Sequence, residues 1–166
     1  MRRHPITVVA IHNRCTRVDF MPAEDLRAST CPIARASAVV GDRWSLLIVR
    51  EAYDGARRFN DFQRRLGLAK NTLADRLRGL VADGILETVP AADGSAYSEY
   101  RLTAAGLDLF PVLVALRQWG EAHAFAGDEP RSALVDARDG RPVAPLRVVA
   151  ADGRRVDATS TVVRKP

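Results

Sequence analysis

Between Arg57 and Arg101 the chain gathers side chains suited to gripping a polyanion. Arg57, Arg58, Arg64, Arg65, Lys70, Arg76 and Arg78 stand against only Asp61, Asp75 and Asp83 within residues 57–83, a local excess of four positive charges. Guanidinium and ammonium groups make charge-assisted hydrogen bonds to phosphate oxygens, and a run of them displaces counterions from a nucleic-acid backbone. Asn71, Thr72 and Asp75 lie among these bases. Asn pairs bidentately with adenine, Arg pairs with guanine or with phosphate, and a Thr methyl can touch a thymine methyl, but residue type does not allot the roles. Further on, Ser95 and Arg101 offer a backbone or minor-groove contact, and Arg101 can equally pair with Glu87 or Glu99. Residues 103–129 have the opposite balance, with Arg117 alone against Asp108, Glu121, Asp128 and Glu129. The whole chain carries a net charge of +5 and a sequence pI of 9.9, which favours a polyanionic partner.

Catalytic chemistry finds little support. His4, His12 and His123 are isolated, and there is no nucleophile motif, no glycine-rich phosphate loop with a lysine and no metal-ligand spacing. The expectation is a protein that is not an enzyme, with no cofactor and no metal. Cys15 and Cys31 cannot build a disulfide framework, so a reducing, cytoplasmic setting is expected. The apolar stretch from Ile6 to Ile11 is too short for a signal-peptide core or a membrane span, so no membrane partner is expected.

The elements that must position the basic residues are legible from spacing. Ser29-Thr30-Cys31-Pro32 is a helix start, and Ile33, Ala36, Val39 and Val40 carry one apolar face to about Val40. Gly41 breaks this helix. Asp42 can cap the next, whose Trp44, Leu47, Ile48 and Val49 mark a core helix running to about Tyr53 and closed by Gly55. A third helix is predicted from about Asn60, as its cap, to Leu66, with Phe59 as hydrophobic staple and Gly67 as terminator. The fourth, Lys70 to Asp83, places Leu73, Leu77, Leu80 and Val81 on one stripe. Asn71, Asp75, Arg78 and Gly79 then project the other way, flanked by Thr72 and Arg76. Ile85 to Val89 and Tyr97 to Leu102 read as two strands around an Asp93-Gly94 turn. Two short helices joined at a glycine and followed by a hairpin make a winged helix-turn-helix, an arrangement that puts a helix into the DNA major groove.

Several motifs in fixed order carry a family resemblance. They are Cys31-Pro32-Ile33, Gly41-Asp42-Arg43-Trp44-Ser45-Leu46-Leu47-Ile48, Arg57-Arg58-Phe59-Asn60-Asp61-Phe62, Arg76-Leu77, Asp83-Gly84-Ile85-Leu86-Glu87 and Tyr100-Arg101-Leu102-Thr103-Ala104-Ala105-Gly106. Over about residues 31–125 the chain resembles the HxlR family of bacterial transcription regulators. The resemblance implies a homodimeric winged-helix protein that binds an inverted repeat near a promoter, often as a repressor. It also implies that Cys31 is a candidate sensor of oxidants or electrophiles. A thiol in a first helical turn feels the positive end of the helix dipole, which favours the reactive thiolate. Where many relatives carry Ser-Pro at the start of the recognition helix, this chain has Ala69-Lys70, which weakens the cap and leaves the operator sequence open.

After Thr103, Leu107, Leu109, Phe110, Val112, Leu113, Val114, Leu116 and Trp119 cover more of one helix than a single intramolecular contact needs, and Pro111 is expected to kink it. One side should pack on its own domain and the other on a second subunit. The candidate dimer residues are Ile33, Val40, Leu109, Leu113, Leu116 and Trp119. Beyond a Gly127-Pro130 linker, Asp139-Gly140 and Asp152-Gly153 each sit between short apolar segments and suggest two hairpins. A subset of similar regulators carries a cysteine knuckle in this region. Here no cysteine or histidine follows His123, which rules out thiolate zinc binding in the tail.

The expected architecture is therefore mainly α with a small β-hairpin: a winged helix-turn-helix DNA-binding domain, a long C-terminal dimerisation helix and a small β appendage. Residues 1–28 are expected to be a flexible extension, 29–126 the winged domain with its dimerisation helices, and 127–166 the linker and appendage. The expected partners are double-stranded DNA and a second copy of the chain, with a small-molecule effector as an open alternative to a redox signal. A winged helix used only for protein interaction is the competing reading.

Overall fold

A computed structural model of the protein describes residues 23–164. The flexible extension expected over residues 1–28 therefore lies largely outside the described residues. The chain divides after Ala38 into two compact units. In the first, α1 (Ala23–Ala28) is followed by the start of α2 (Pro32–Val40). Just ahead of α2, Ser29 Oγ accepts the Cys31 amide at 3.1 Å, which closes a turn before the helix and leaves the amides of its first turn uncapped by this side chain.

The second unit holds the rest of α2, then α3 (Ser45–Tyr53), α4 (Phe59–Leu66), α5 (Lys70–Ala82), strands β1 (Leu86–Pro90) and β2 (Ser98–Leu102), and helices α6 (Ala104–Leu107) and α7 (Phe110–His123). This is a mainly helical winged-helix fold with one antiparallel hairpin, registered Leu86 opposite Leu102 and Thr88 opposite Tyr100. Ile48, Val49, Phe62, Leu73, Leu77, Leu80 and Leu86 are almost fully buried. They come from α3, α4, α5 and β1, so one core fixes the two helices of the helix-turn-helix against the wing. The edge-on contact of Phe62 with Tyr100, centroids 6.1 Å apart, ties α4 to β2.

Local chemistry explains the element ends. Asp42 takes the predicted cap role, its Oδ1 accepting the Trp44 and Ser45 amides at 2.9 and 3.2 Å. Asn60 does not cap α4. The helix starts one residue earlier, because the Asp61 carboxylate reaches back to the Arg58 amide at 3.1 Å and satisfies that helix end from inside the first turn. Gly67, at φ 65°, adopts the left-handed conformation that lets α4 stop and the chain turn into α5.

The C-terminal helical stretch is interrupted. Thr103 caps α6, its Oγ1 accepting from the Gly106 amide at 3.1 Å while donating to the Gly84 carbonyl at 2.6 Å. Asp108 and Leu109 then separate α6 from α7. Pro111 lies in the first turn of α7, where its missing N–H costs nothing, so it starts a helix and does not kink one.

Past α7, Val135 bridges Pro142 and Val149 bridges Arg155, which closes two turns at Gly140 and Gly153. This tail is held to α7 by Gln118, whose carboxamide donates to the Ala144 carbonyl (3.1 Å) and accepts the Leu146 amide (2.8 Å). Arg117 adds a bond to Ser132 Oγ at 2.9 Å.

Candidate nucleic-acid interface

Helix α5 is amphipathic. Leu73, Leu77 and Leu80 are buried to within 1% of full burial, and Lys70, Asn71, Asp75, Arg76 and Arg78 are exposed, with Thr72 half-buried. The burial of one stripe leaves the polar stripe no choice but to face outward. Lys70 opens the helix, and Ala69 at the N-cap makes no side-chain cap bond. Among the described residues Lys70 carries no ion pair.

Most other cations of this region are engaged within the chain. Arg76 Nε lies 3.5 Å from Asp42 Oδ1, so a recognition-helix residue is tied to the cap of α3. Burial opposes ionisation of Asp42, but bonds from Ser45 Oγ and the Trp44 and Ser45 amides, together with Arg76, outweigh it and hold its carboxyl below the usual range. Arg78 pairs with Asp75 one turn back on the same helix face, and Arg64 pairs with Asp61 at 2.9 Å. Arg65 reaches Glu51, which is 93% buried, at 3.4 Å and the Asp54 carbonyl at 3.0 Å. Of the residues assigned to phosphate by sequence, Arg57 turns inward: its Nη1 donates to the Ala52 carbonyl at 3.0 Å. Its own carbonyl accepts the Tyr100 amide at 2.7 Å, which anchors β2 to the segment before α4.

The wing spans the residues between β1 and β2. Gly94, at φ 72°, supplies the left-handed residue that a tight turn needs, and Ser95 donates its amide to Asp93 Oδ1 at 3.0 Å. Arg58 Nη2 reaches Asp93 Oδ2 at 2.5 Å and its Nε lies 3.9 Å from Glu99. Arg101, opposite Glu87 in the register, directs its guanidinium to Glu99 at 3.8 Å. Of the two acids open to it in sequence, Glu99 is the one it meets, and half of its side chain stays exposed.

The residues assigned to a dimer surface divide. Val40 is buried in the core, and Leu109 and Leu113 pack against that core, so the chain itself takes them up. Leu116 and Trp119 remain 51% and 61% exposed on α7, and Ile33 is 77% exposed on α2. Cys31 is half-buried. Among the described residues no cluster of His, Cys, Asp and Glu is placed to hold a metal ion, and no helix is long and apolar enough to cross a membrane.

An exposed polar stripe on the second helix of a helix-turn-helix, beside a short wing, defines a winged-helix protein of the transcriptional-regulator class. The particular family follows from residues 39–127, which match the HxlR-like helix-turn-helix family, and the chain belongs to it. It is 48% identical over 91 residues to an uncharacterised HTH-type transcriptional regulator of Mycobacterium bovis. That match covers 55% of this chain and 58% of the relative, so the chain aligns with little more than half of the relative's length. Among solved structures, a candidate transcription factor is 51% identical with a TM-score of 0.82, covering 86% of this chain and 99% of that one. The redox regulator HypR in its oxidised form is 31% identical with a TM-score of 0.52, covering 58% of this chain and 100% of that one.

Proposed function

We propose that the protein is a homodimeric, sequence-specific DNA-binding regulator that represses transcription from an inverted-repeat operator. The observation that carries this reading is α5, with three leucines locked in the core and Lys70, Asn71, Asp75, Arg76 and Arg78 turned outward. Such a helix presents base-reading and phosphate-binding groups on a rigid support. Two copies related by a two-fold axis set their recognition helices about one DNA turn, ~34 Å, apart.

The test is binding of the purified protein to its upstream promoter DNA against a scrambled duplex of equal length at physiological salt. A preference of about a thousandfold or more supports sequence-specific regulation, and equal weak binding to both removes it. The internal pairing of Arg58, Arg64, Arg65, Arg76, Arg78 and Arg101 favours a second reading, a winged helix used for protein interaction. That reading requires an affinity for DNA without the steep salt dependence that phosphate contacts bring.

The signal we propose is oxidation or electrophile attack at Cys31, with a small-molecule effector as the alternative input. Support comes from the thiol's place just ahead of α2 and from the likeness to HypR, itself described as a redox regulator. Cys31→Ser should leave DNA binding intact and remove its sensitivity to peroxide or diamide. Equal sensitivity in the variant overturns the assignment.

A further inference from the structure

We infer that Arg58 is a wing-positioning residue, a strut between the start of α4 and the tip of the wing, and not one of the phosphate contacts. The inference rests on the DNA-binding reading above. Arg58 sits at the N-cap of α4, where its backbone amide is fixed by Asp61. Its guanidinium crosses to Asp93, 35 residues on, at the tip of the wing, and its Nε faces Glu99 on β2. Glu99 is only 12% exposed in its side chain and is shared with Arg101. The positive charge of Arg58 is thus flanked by two carboxylates from the element that must be aimed at DNA.

The second half of the strut is the turn itself. Asp93 Oδ1 accepts the Ser95 amide while Oδ2 takes Arg58, so one carboxylate shapes the turn and anchors it. Hydrogen bonds from Ser95 and from Arg58 hold this carboxyl far below the usual range, so it stays ionised at any working pH. The turn has few other fixings: Ala91 donates to the Tyr97 carbonyl at 3.1 Å and Gly94 to the Ala91 carbonyl at 3.1 Å. With Tyr97 71% exposed, packing alone does not set the angle of this segment. Arg57 and Arg58 therefore divide the work. The carbonyl of Arg57 fixes the base of the wing through Tyr100, and the side chain of Arg58 fixes its tip.

Asp93→Asn separates positioning from simple electrostatics by sign. The amide oxygen still accepts the Ser95 N–H, but the charge that holds Arg58 is gone and the interface becomes more positive. If Arg58 acts as a strut, the full-length variant binds its selected duplex about fivefold more weakly, the order expected for one exposed pair. The slope of log K against log salt stays unchanged, and the Ala91 and Gly94 amides exchange faster in the free protein. Arg58→Gln should match it in both readouts, and the exchanged pair Arg58→Asp with Asp93→Arg should recover amide protection. Tighter binding by Asp93→Asn with a steeper salt slope overturns the inference, as does an Arg58→Gln variant that loses one phosphate's worth of slope with wing exchange unchanged. Wild-type protein with no duplex preference defeats the DNA-binding reading instead, and the exchange data on the free protein still decide the strut.

Discussion

Lys70 occupies the first position of α5, where a cation opposes the helix dipole and weakens the helix it begins. Exposed and without an ion pair among the described residues, it adds nothing to the fold that an alanine would not supply. On the proposed DNA-binding reading, its charge stands at the end of the helix that approaches the duplex. Lys70→Gln should therefore raise stability by a few tenths of a kcal/mol, ~0.3, as read by urea unfolding. It should also weaken duplex binding and lower the salt slope by about 0.9 per subunit. An unchanged slope would remove Lys70 from the interface. Immediately before it, Ala69 has the extended backbone of an N-cap, φ −57° and ψ 139°, and no side chain able to fill the role. Ala69→Ser should stabilise the protein by roughly 1 kcal/mol through a bond to the second or third helical amide. The outward placement of Asn71, Asp75, Arg78 and Gly79 was legible from the leucine spacing alone. The partners of Arg58 and Arg76 were not, because Asp93 and Asp42 are brought to them by tertiary contacts across more than thirty residues; nor was the inward turn of Arg57, which depends on the turn after α3 that returns its guanidinium to the Ala52 carbonyl.

Elements meet at two positions whose replacement should be costly. Gly106 in α6 lies against the end of β1: an added Cβ would fall 2.3 Å from the Ile85 carbonyl oxygen and 3.0 Å from Leu102 Cδ2. The first contact is with backbone that itself accepts the Thr103 amide, so it cannot yield without loosening the hairpin. Gly106→Ala should destabilise the protein by about 3 kcal/mol, the upper range for overpacking, and a loss below about 0.5 kcal/mol would show that α6 shifts freely. Asp42 is the other position, joining the start of α3 to α5 through Arg76. Its carboxyl is depressed below its ordinary value of 3.8, so its contribution is complete above that value and is lost as pH falls through the folded pKa. Asp42→Asn should therefore be less stable than the wild type at neutral pH and should flatten the stability profile below about pH 4. Sequence located α2, α3, α5 and the wing because periodicity and turn residues agree there. It misplaced the start of α4 because a carboxylate in the first turn can satisfy the amides that a cap residue would. It did not show the turn at Asp108 and Leu109 within the C-terminal helical stretch, because apolar spacing continues across them.

For the whole molecule, the proposed dimer turns on α7, because its sides are used unequally. Val114 is buried against the domain, and Arg117, Gln118 and Glu121, three, four and seven residues on, share its side of the helix. Arg117 and Gln118 clasp the tail, so the tail prolongs the intramolecular side of α7 and leaves the opposite side open. That open side carries Val112, Leu116 and Trp119, 48%, 51% and 61% exposed, with the His123 ring tilted against Trp119, centroids 5.3 Å apart. A contiguous apolar stripe of this kind on a rigid helix is what a two-fold related copy would cover, and it matches the symmetry of an inverted repeat. Sedimentation equilibrium of the wild-type chain should then give twice the 18.2 kDa monomer mass. Leu116→Asp, which burdens only the open side, should give the monomer mass with unchanged helical circular dichroism. Because one subunit grips only one half-site, that variant should also lose the promoter preference while keeping weak, salt-sensitive binding to any duplex. Gln118→Ala, on the clasped side, should release the tail to proteolysis without changing the mass. If Leu116→Asp stays dimeric, α7 is not the interface, and the apolar stripe must be covered by something other than a second copy.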